Sequence, residues 1–355
     1  MIRVVTFRTA IFRIAILAFG ALLSLSSDAY AAGVTIAPGK DDGSVCVTAA
    51  PGSGSFRILQ LTDLHYWFYE QEGKIRPEDY NGEVIRMMEL LVDQIKPDLL
   101  MVTGDVWPEN PDGKGEQYMR YSIGRFEKLG IPWAFVWGNH DQVSDYPAAH
   151  RALAAAKNSL YRGVPGDGNY TIDIMRPNSA RAWQLLCLNS KTDGLGQEQQ
   201  SWMRALAERD KTQVPRIAFF HVPLKQYEDI WISGIATGFR SEQACTGSED
   251  GSTLPVLRAL GVKATFCGHD HINDYSGVVD GIELVYGRST GTFTYGTPHL
   301  PKGGKLITLN LRKRTYAWAS VTPDGKKWHP NAANESRKPN RTRNNSTSGK
   351  QRRRL

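Results

Sequence analysis

Short apolar runs separated by polar loops recur along the central part of the chain. Runs rich in β-branched and aromatic residues predict buried strands over 56–61, 98–102, 133–137, 217–220 and 264–267. Between the first two, apolar residues recur at helical spacing from Val84 to Ile95, and the pattern stops before Pro97. A second helix is predicted over 197–208, with Trp202, Met203 and Leu206 on its buried side.

Strands that alternate with helices indicate an α/β fold, and open α/β sheets bind ligands at the carboxyl ends of their strands. Three later strand-like runs, 282–286, 305–311 and 315–320, follow one another with no helical pattern between them. They predict a second sheet packed on the first.

Each of the five buried runs is followed by a short polar motif. In chain order these are Asp63-Leu64-His65, Gly104-Asp105, Gly138-Asn139-His140-Asp141, His221 and Gly268-His269-Asp270-His271. One histidine alone is more often an ordinary core residue than a ligand, but an ordered series of such motifs favours a metal site. Two cations ~3.5–4 Å apart need a bridging ligand, terminal ligands and open positions. A mixed set of carboxylate and imidazole ligands suits a pair of transition metals.

This series resembles the calcineurin-like metallophosphoesterase superfamily, which includes the purple acid phosphatases. The similarity runs from about Phe56 to Gly296, and the stretches 56–63, 132–141 and 268–275 look like the short, single-domain purple-acid-phosphatase-like branch. The resemblance implies a four-layer α/β/β/α sandwich, in which two packed mixed sheets are flanked by helices. We expect this metallophosphoesterase domain to occupy residues 55–322.

The resemblance also implies a role for each motif residue. The first metal would be held by Asp63, His65 and His271, the second by Asn139, His221 and His269, and Asp105 would bridge the two. His140 would face the leaving group instead of binding metal. We predict Asp141 as the partner that fixes the ring of His140.

One position departs from the purple acid phosphatases. They place an iron-ligating tyrosine three residues after the bridging aspartate, where this chain has Pro108. Proline offers no ligand, so the tyrosinate-to-iron colour is not expected. The other ligands are all present, and two divalent or mixed-valence ions of Mn, Fe or Zn are admissible.

These residues predict a phosphoesterase. Two divalent ions, two aspartates and a hydroxide would sum to about +1, which attracts an anionic phosphate ester. The resemblance implies that a metal-bridging hydroxide attacks phosphorus in line while His140 assists the leaving group. Monoesters are favoured, and nucleotide or sugar-phosphate diesters are the alternative. A second class is a non-hydrolytic polyanion- or surface-binding protein with a structural metal site. Arg240 and Arg288 are candidate phosphate clamps.

The amino terminus predicts export. Arg3, Arg8 and Arg13 precede an apolar run over 14–25, and Ala29-Tyr30-Ala31 is typical of a cleavage site. We expect a signal peptide over 1–31, cleaved before Ala32, and a periplasmic or extracellular mature protein. An uncleaved anchor is the alternative, although the run is short for a span of ~20 residues.

Charge is concentrated at the end of the chain. Residues 335–355 hold eight Lys or Arg and one Glu, whereas 32–334 carry a net charge of −2. We expect 323–355 to be a basic disordered tail. A tail that is simply solvated is favoured, and a weak electrostatic tether to anionic surfaces is the alternative. The folded part is not basic, so no specific nucleic-acid recognition is expected. Residues 32–54, rich in Gly, Ala and Ser, predict a flexible lead-in.

The four cysteines are Cys46, Cys187, Cys245 and Cys267, and none has CxxC spacing. An exported protein could pair them, but spacing alone assigns no disulfide. Cys187 and Cys267 lie in predicted buried strands and are interpreted as small core residues.

Overall fold

The computed structural model describes residues 33–67, 77–110 and 113–330. The predicted signal peptide over 1–31 and the tail beyond residue 330 lie outside these ranges, so both stay predictions. Within the described ranges, none of the helices combines the length and the apolar character needed to cross a bilayer.

Two mixed sheets form the centre of the molecule. The larger one has the order β1 (Thr35–Pro38), β2 (Ser44–Thr48), β6 (Tyr170–Met175), β7 (Arg181–Cys187), β8 (Arg216–Phe219), β10 (Val262–Cys267), β12 (Ile282–Tyr286), β11 (Asn273–Val279) and β9 (Thr237–Arg240). The smaller one has the order β15 (Lys327–Trp328), β14 (Tyr316–Val321), β13 (Gly304–Asn310), β3 (Ser55–Leu61), β4 (Leu99–Val102) and β5 (Trp133–Phe135). The strands that carry the polar motifs, β3 to β5 in one sheet and β8 and β10 in the other, pair in parallel within each sheet.

Helices cover the outer face of each sheet. The helices α1 (Pro77–Ile95), α2 (Gly115–Lys128) and α3 (Tyr146–Ala155) share the apolar core of the smaller sheet. The helices α4 (Gln197–Arg209), α5 (Lys225–Ile232) and α6 (Thr253–Ala259) pack against the larger sheet in a separate cluster. The two helices predicted from periodicity are confirmed, and Met203 and Leu206 are buried while Trp202 is partly buried.

The alternation of side chains along β7 and β8 explains how the sheets can pack face to face. Ile217 and Phe219 lie in the core shared with the smaller sheet, whereas Ala218 packs with the α4–α6 cluster. Leu185 and Leu186 divide between the two clusters in the same way. Because successive strand residues point to opposite faces, a strand that is apolar throughout is buried on both sides. The predicted order of layers, helices on two packed mixed sheets, is therefore confirmed.

The predicted division of strands between the sheets is wrong. The run 282–286 forms β12 and pairs in parallel with β10, in the sheet that also holds β8. The last two runs form β13 and β14, and β13 pairs antiparallel with β3. Early and late strands therefore share each sheet. Hydrophobic patterning shows which faces of a strand are buried but does not specify its hydrogen-bonding neighbour.

The predicted boundaries of the domain are too narrow at both ends. Residues 32–54 are not a flexible lead-in over their described part, since β2 pairs in parallel with β6 and Val45 and Val47 are fully buried. The alternating residues Val45 and Val47 favour a buried strand, although the Gly and Ser residues around them suggested a flexible segment. At the other end, the described residues 323–330 include β15, which pairs with β14, so the disordered tail cannot begin at residue 323.

Candidate metal centre

The seven predicted metal ligands meet where the carboxyl ends of the two sheets approach each other. Asp63 and His65 follow β3, Asp105 follows β4 and Asn139 follows β5, all in the smaller sheet. The remaining ligands come from the larger sheet, where His221 follows β8, and His269 and His271 follow β10. The site therefore exists only because two sheets are packed with their parallel strand ends together.

The first group of ligand atoms comes from Asp63, His65, Asp105 and His271, and these atoms all lie within 4.8 Å of one another. The Nε2 atom of His65 is 3.6 Å from Oδ2 of Asp105. The Nε2 atom of His271 is 3.5 Å from Oδ1 of Asp63. This is the set predicted for the first metal, together with the predicted bridge.

The second group contains Asp105, His221 and His269 within the same limit of 4.8 Å. The Nε2 atom of His221 lies 3.1 Å from Oδ2 of Asp105 and 3.1 Å from the amide oxygen of Asn139. It is also 3.3 Å from Nδ1 of His269. The structure thus brings together all the residues predicted for the second metal.

Asp105 is the residue that both groups share. Its Oδ1 accepts a hydrogen bond of 3.0 Å from the backbone N–H of His140, which fixes the carboxylate. Its Oδ2 then faces Nε2 of His65 on one side and Nε2 of His221 on the other, at 3.6 and 3.1 Å. A carboxylate placed between two ligand groups in this way is suited to bridge two cations.

The backbone at these positions is strained. Asp63, His65, Asp105 and His269 all have positive φ, at 55°, 44°, 53° and 79°. Non-glycine residues rarely adopt this conformation, and clusters of it occur at functional sites. At Gly138 the reason for glycine is close approach, since a Cβ atom would lie 2.2 Å from Oδ1 of Asp105.

The donor set fits cations. Nε2 of His65 is buried and has no hydrogen-bond partner within the described part of the chain, which is costly unless something else satisfies it. Two imidazole nitrogens bound tetrahedrally to one zinc-sized ion lie ~3.3 Å apart, the separation found between His221 and His269. His221 also places Nδ1 2.7 Å from the carbonyl oxygen of Thr103, so Nδ1–H donates there and Nε2 remains for a metal.

The electrostatics of the site also favour positive charge. Burial opposes ionisation of Asp63, but the hydrogen bond and charge of His271 hold its pKa down at about 2. Burial acts to lower the pKa of His221, yet the charge of Asp105 raises it to about 10. Burial lowers the pKa values of His65 and His269 to about 4, so both rings are neutral at pH 7. A field that draws a proton to His221 also draws a metal cation, and neutral imidazoles supply lone pairs.

His140 lies at the accessible edge of the site. Its Nε2 is 4.0 Å from Oδ2 of Asp105, and its side chain is 36% exposed. Its Nδ1 lies 2.7 Å from Oε1 of Glu109. The ring is therefore oriented by a carboxylate on one nitrogen while the other nitrogen faces the ligand cluster.

The predicted contact between Asp141 and the ring of His140 is wrong. The carboxylate of Asp141 accepts hydrogen bonds of 2.7–3.2 Å from the backbone N–H groups of Asp105, Val106, Trp107 and Gly138. It ties the loop after β4 to the loop after β5 and so positions the bridging aspartate. A side chain directly after His140 in the chain points elsewhere in a tight loop, whereas Glu109, which sequence spacing did not single out, reaches the ring.

The two predicted phosphate clamps are also engaged elsewhere. Arg240 makes a two-oxygen contact of 2.7 Å with Glu228, and Arg288 donates from Nε to the buried Asp274 at 2.6 Å. Both guanidinium groups thus have carboxylate partners that do not belong to the ligand set, and a role for them in binding phosphate stays a prediction. All four cysteines are free thiols, and Cys187 and Cys267 are buried core residues, as expected.

The fold and the site define an α/β protein with a two-centre cluster of metal ligands. Residues 56–273 match the family described as calcineurin-like phosphoesterase. The chain belongs to this family, and similar proteins include ones named as probable inactive purple acid phosphatases, in agreement with the motif resemblance.

Two of the similar curated proteins differ in what their names say. A protein of Arabidopsis thaliana named "Probable inactive purple acid phosphatase 28" is 26% identical over 312 residues, which cover 76% of this chain and 78% of the relative. A Saccharomyces cerevisiae protein named "Phosphatase DCR2" is 26% identical over 260 residues, covering 62% of this chain and 45% of that protein.

Among solved structures, a dimetal phosphatase from Danio rerio aligns with a TM-score of 0.49 at 14% identity, over 71% of this chain and 92% of that one. A purple acid phosphatase from yellow lupin (Lupinus luteus) seeds aligns with a TM-score of 0.45 at 13% identity, over 80% of this chain and 55% of that one.

Proposed function

We propose that this protein hydrolyses phosphate esters at a dinuclear metal site, with monoesters preferred over diesters. The observation that carries the proposal is the buried Asp105, whose Oδ2 lies between two groups of metal-ligand atoms while His140 stands 4.0 Å away at the open edge. A structural metal site needs neither a second centre nor an accessible histidine beside it. The arrangement matches what phosphoryl transfer to water requires.

The residues divide into three roles. Asp63, His65 and His271 would hold one ion, and Asn139, His221 and His269 the other. Asp105 would keep the two together, and its orientation depends on the backbone N–H of His140. Bound ions would supply a nucleophilic water of lowered pKa and charge stabilisation for the phosphoryl oxygens.

His140 would protonate or hydrogen-bond the departing ester oxygen. Its Nδ1 contact with Glu109 at 2.7 Å fixes the ring and leaves Nε2 directed toward the ligand cluster. Acid assistance of this kind contributes ~10²–10⁴ in rate. Glu109 is thus a positioning residue, while His140 contacts the substrate.

We further propose that the ions are Mn, Fe or Zn, because the set mixes imidazole nitrogens with carboxylate and amide oxygens. Pro108 occupies the position of the iron-ligating tyrosine of purple acid phosphatases. A preparation loaded with iron should therefore show no tyrosinate-to-iron absorption band in the visible range. Such a band would contradict the ligand assignment.

The central test compares turnover of 4-nitrophenyl phosphate and bis(4-nitrophenyl) phosphate by protein loaded with each metal. We expect the wild type to turn over the monoester. The turnover rate should fall about a hundredfold or more in His140→Asn, which should still bind two metals per chain. Asp141→Asn is not a suitable control, because Asp141 positions Asp105. Tyr316→Leu serves instead, because Leu309 pairs with both Tyr316 and Phe56, which places Tyr316 at the end of the sheet opposite Asp63. Wild-type protein that binds two metals but hydrolyses neither ester would overturn the proposal.

A second candidate is a non-hydrolytic protein that binds phosphate-bearing surfaces or polyanions and keeps the metals for structure. The names of several similar proteins, which include the word inactive, favour this candidate. It predicts binding of polyanions that is unchanged in His140→Asn and no turnover of any ester. The presence of His140 and of the complete ligand set favours the enzyme.

We also propose that the chain is exported, with cleavage before Ala32, and that the basic residues 335–355 make at most weak contact with anionic surfaces. The mass of the mature protein from a periplasmic or culture fraction tests the first proposal, and an intact Met1 would contradict it. Vesicles rich in anionic lipid test the second. Binding that persists after deletion of residues 335–355 would exclude the tail as the tether.

A further inference from the structure

Four aromatic rings form a row that begins at His140. The ring centroids of His140 and His65 are 5.1 Å apart, and those of His65 and His271 are 5.0 Å apart. The row ends at Tyr295, whose ring stacks on His271 at 4.2 Å with an interplanar angle of 23°. Tyr295 is 54% exposed, so one side of its ring is covered by a metal-ligand residue while much of the rest faces solvent.

The orientation of Tyr295 is fixed at its hydroxyl. The hydroxyl donates to the carboxylate of Glu242, at 3.0 Å to Oε2, and accepts from the backbone N–H of His271 at 3.3 Å. Glu242 is itself fixed, since its Oε1 accepts from the backbone N–H of Ile272 at 3.0 Å. An exposed aromatic ring held in this way loses little freedom when a ligand packs on it.

The loop that carries Tyr295, residues 289–303, is also held at its base. The ammonium group of Lys302 donates to Ser289 Oγ at 3.0 Å, Thr294 Oγ1 at 2.6 Å and the carbonyl oxygen of Tyr295 at 3.0 Å. The backbone N–H of Gly291 donates to the carbonyl oxygen of Asp63 at 3.0 Å. The loop is therefore attached directly to the first ligand motif, and Tyr295 keeps its place relative to the metal ligands.

We propose that Tyr295 is a stacking platform for a planar aromatic group carried by the phosphate ester, either an aryl ring or a nucleobase. The inference rests on the proposed function, which places the phosphoryl group at the ligand cluster beside His271. An ester substituent directed from phosphorus past His271 would pack on the exposed part of the Tyr295 ring, whose other side covers His271. Stacking on tyrosine tolerates any ring, because each has a π face, so the platform selects for a planar group and not for one base.

The test uses phosphonates, which carry a phosphorus–carbon bond that a phosphoesterase does not hydrolyse. Calorimetry on the metal-loaded full chain compares phenylphosphonate with ethylphosphonate, so that the ratio of the two affinities reports on the platform. We expect the wild type to bind the phenyl compound about tenfold more tightly, and Tyr295→Leu to lose this preference. Tyr295→Phe, which keeps the ring, should keep most of the preference. Tyr316→Leu is the matched aromatic control and should retain all of it.

The proposal that Tyr295 is a stacking platform would be overturned if the wild type did not prefer phenylphosphonate. It would also be overturned if Tyr295→Leu kept that preference. Turnover then separates the two sources of the planar group. A fall in kcat/KM of Tyr295→Leu confined to aryl monoesters supports stacking of the leaving group, and a fall confined to diesters supports stacking of the retained group. Phosphonate preference without turnover of any ester would support the platform while the proposed hydrolysis fails, so the two proposals can fail separately.

Discussion

Two buried clusters of charged side chains in this protein differ in what neutralises them. In the first, Asp274 is fully buried and accepts hydrogen bonds from Lys305 Nζ at 2.7 Å, Arg288 Nε at 2.6 Å and Ser320 Oγ at 2.6 Å. In the second, Asp63 and Asp105 are buried among histidines, and no Lys or Arg of the described ranges forms an ion pair with either.

The Asp274 cluster is closed by the chain itself. It joins β11 of the larger sheet to β13 and β14 of the smaller one, so its cations and its carboxylate come from both layers. Its excess positive charge faces indole rings, with Lys305 Nζ 4.3 Å from the ring centre of Trp318. Every charged atom therefore has a partner, and nothing external is required.

The ligand cluster is left open by the chain. Within the described residues, Nε2 of His65 has no hydrogen-bond partner, four ligand residues have positive φ, and the carboxylates attract a proton to His221. A buried polar group without a partner costs free energy, and so does strained backbone. The difference separates a structural cluster, whose buried charges satisfy one another, from a candidate metal site, whose ligand atoms could hold cations.

The largest effect is expected from Asp105→Asn, which removes the charge shared by both ligand groups. We expect activity to fall by about 10³-fold or more, since a tenfold change in rate corresponds to ~1.4 kcal/mol and the site loses several kcal/mol of charge stabilisation. Elemental analysis should show fewer than two metals per chain. Full occupancy with unchanged turnover would show that Asp105 does not bridge.

Asp274→Asn should break the closed cluster without affecting the open one. Removing one partner from a buried ion pair leaves uncompensated charge, so we expect a loss of about 3–5 kcal/mol in the free energy of unfolding. The measurement is denaturant unfolding, with metal content as the control. Ser320→Ala is a milder variant at the same carboxylate, with an expected loss of about 1 kcal/mol.

The carboxylate of Asp274 also makes the free energy of unfolding depend on pH. Burial opposes ionisation of Asp274, but Lys305 and Arg288 lower its pKa below the usual value. A carboxylate with a depressed folded-state pKa contributes stability that is fully present above its unfolded pKa of ~3.9 and lost as the pH falls through the folded value. Below pH ~4, the stability of the wild type should therefore fall more steeply than that of Asp274→Asn. Parallel curves would contradict this assignment.

Removal of metal should lower the stability of the protein only when the ligand cluster is intact, because a ligand that binds the folded state stabilises it. A ligand present at a hundredfold excess over its dissociation constant stabilises the folded state by ~2.7 kcal/mol, and chelation should remove about that amount. The midpoint of thermal unfolding should fall in wild-type protein and in Asp274→Asn by similar amounts. It should change far less in Asp105→Asn. An equal response in Asp105→Asn would indicate a metal bound elsewhere.

The smallest effect is expected from Glu109→Gln, which weakens the orientation of His140. Glu109 is exposed, with 53% of its side chain accessible, and solvent screens such contacts to ~1 kcal/mol or less. We expect kcat to fall by less than tenfold, with unchanged metal content and an altered alkaline limb of the pH profile, because a proton donor acts only in its protonated form. Glu109→Asp should recover part of the activity, whereas a purely structural role would leave the pH profile unchanged.

The candidate site could be predicted from the sequence more completely than the fold. All seven ligand residues meet as expected, because each follows a strand whose carboxyl end must reach the same edge. The assignment of β12, β13 and β14 to sheets was wrong, because the sequence of a buried strand does not specify which strand it pairs with. The role of Asp141 failed for a related reason, since adjacency in the chain says little about direction in a strained loop.

Local chemistry is what the sequence alone determined: which residue types follow each strand, where helix α1 ends before Pro97, and that the predicted ligand set contains two carboxylates among histidines. Only the tertiary structure decided that Glu109 and not Asp141 holds His140, and that Tyr295 covers His271. The physical reason is distance along the chain. Periodicity and caps act over a few residues, whereas these contacts arise from the packing of two sheets whose strands come from both ends of the sequence.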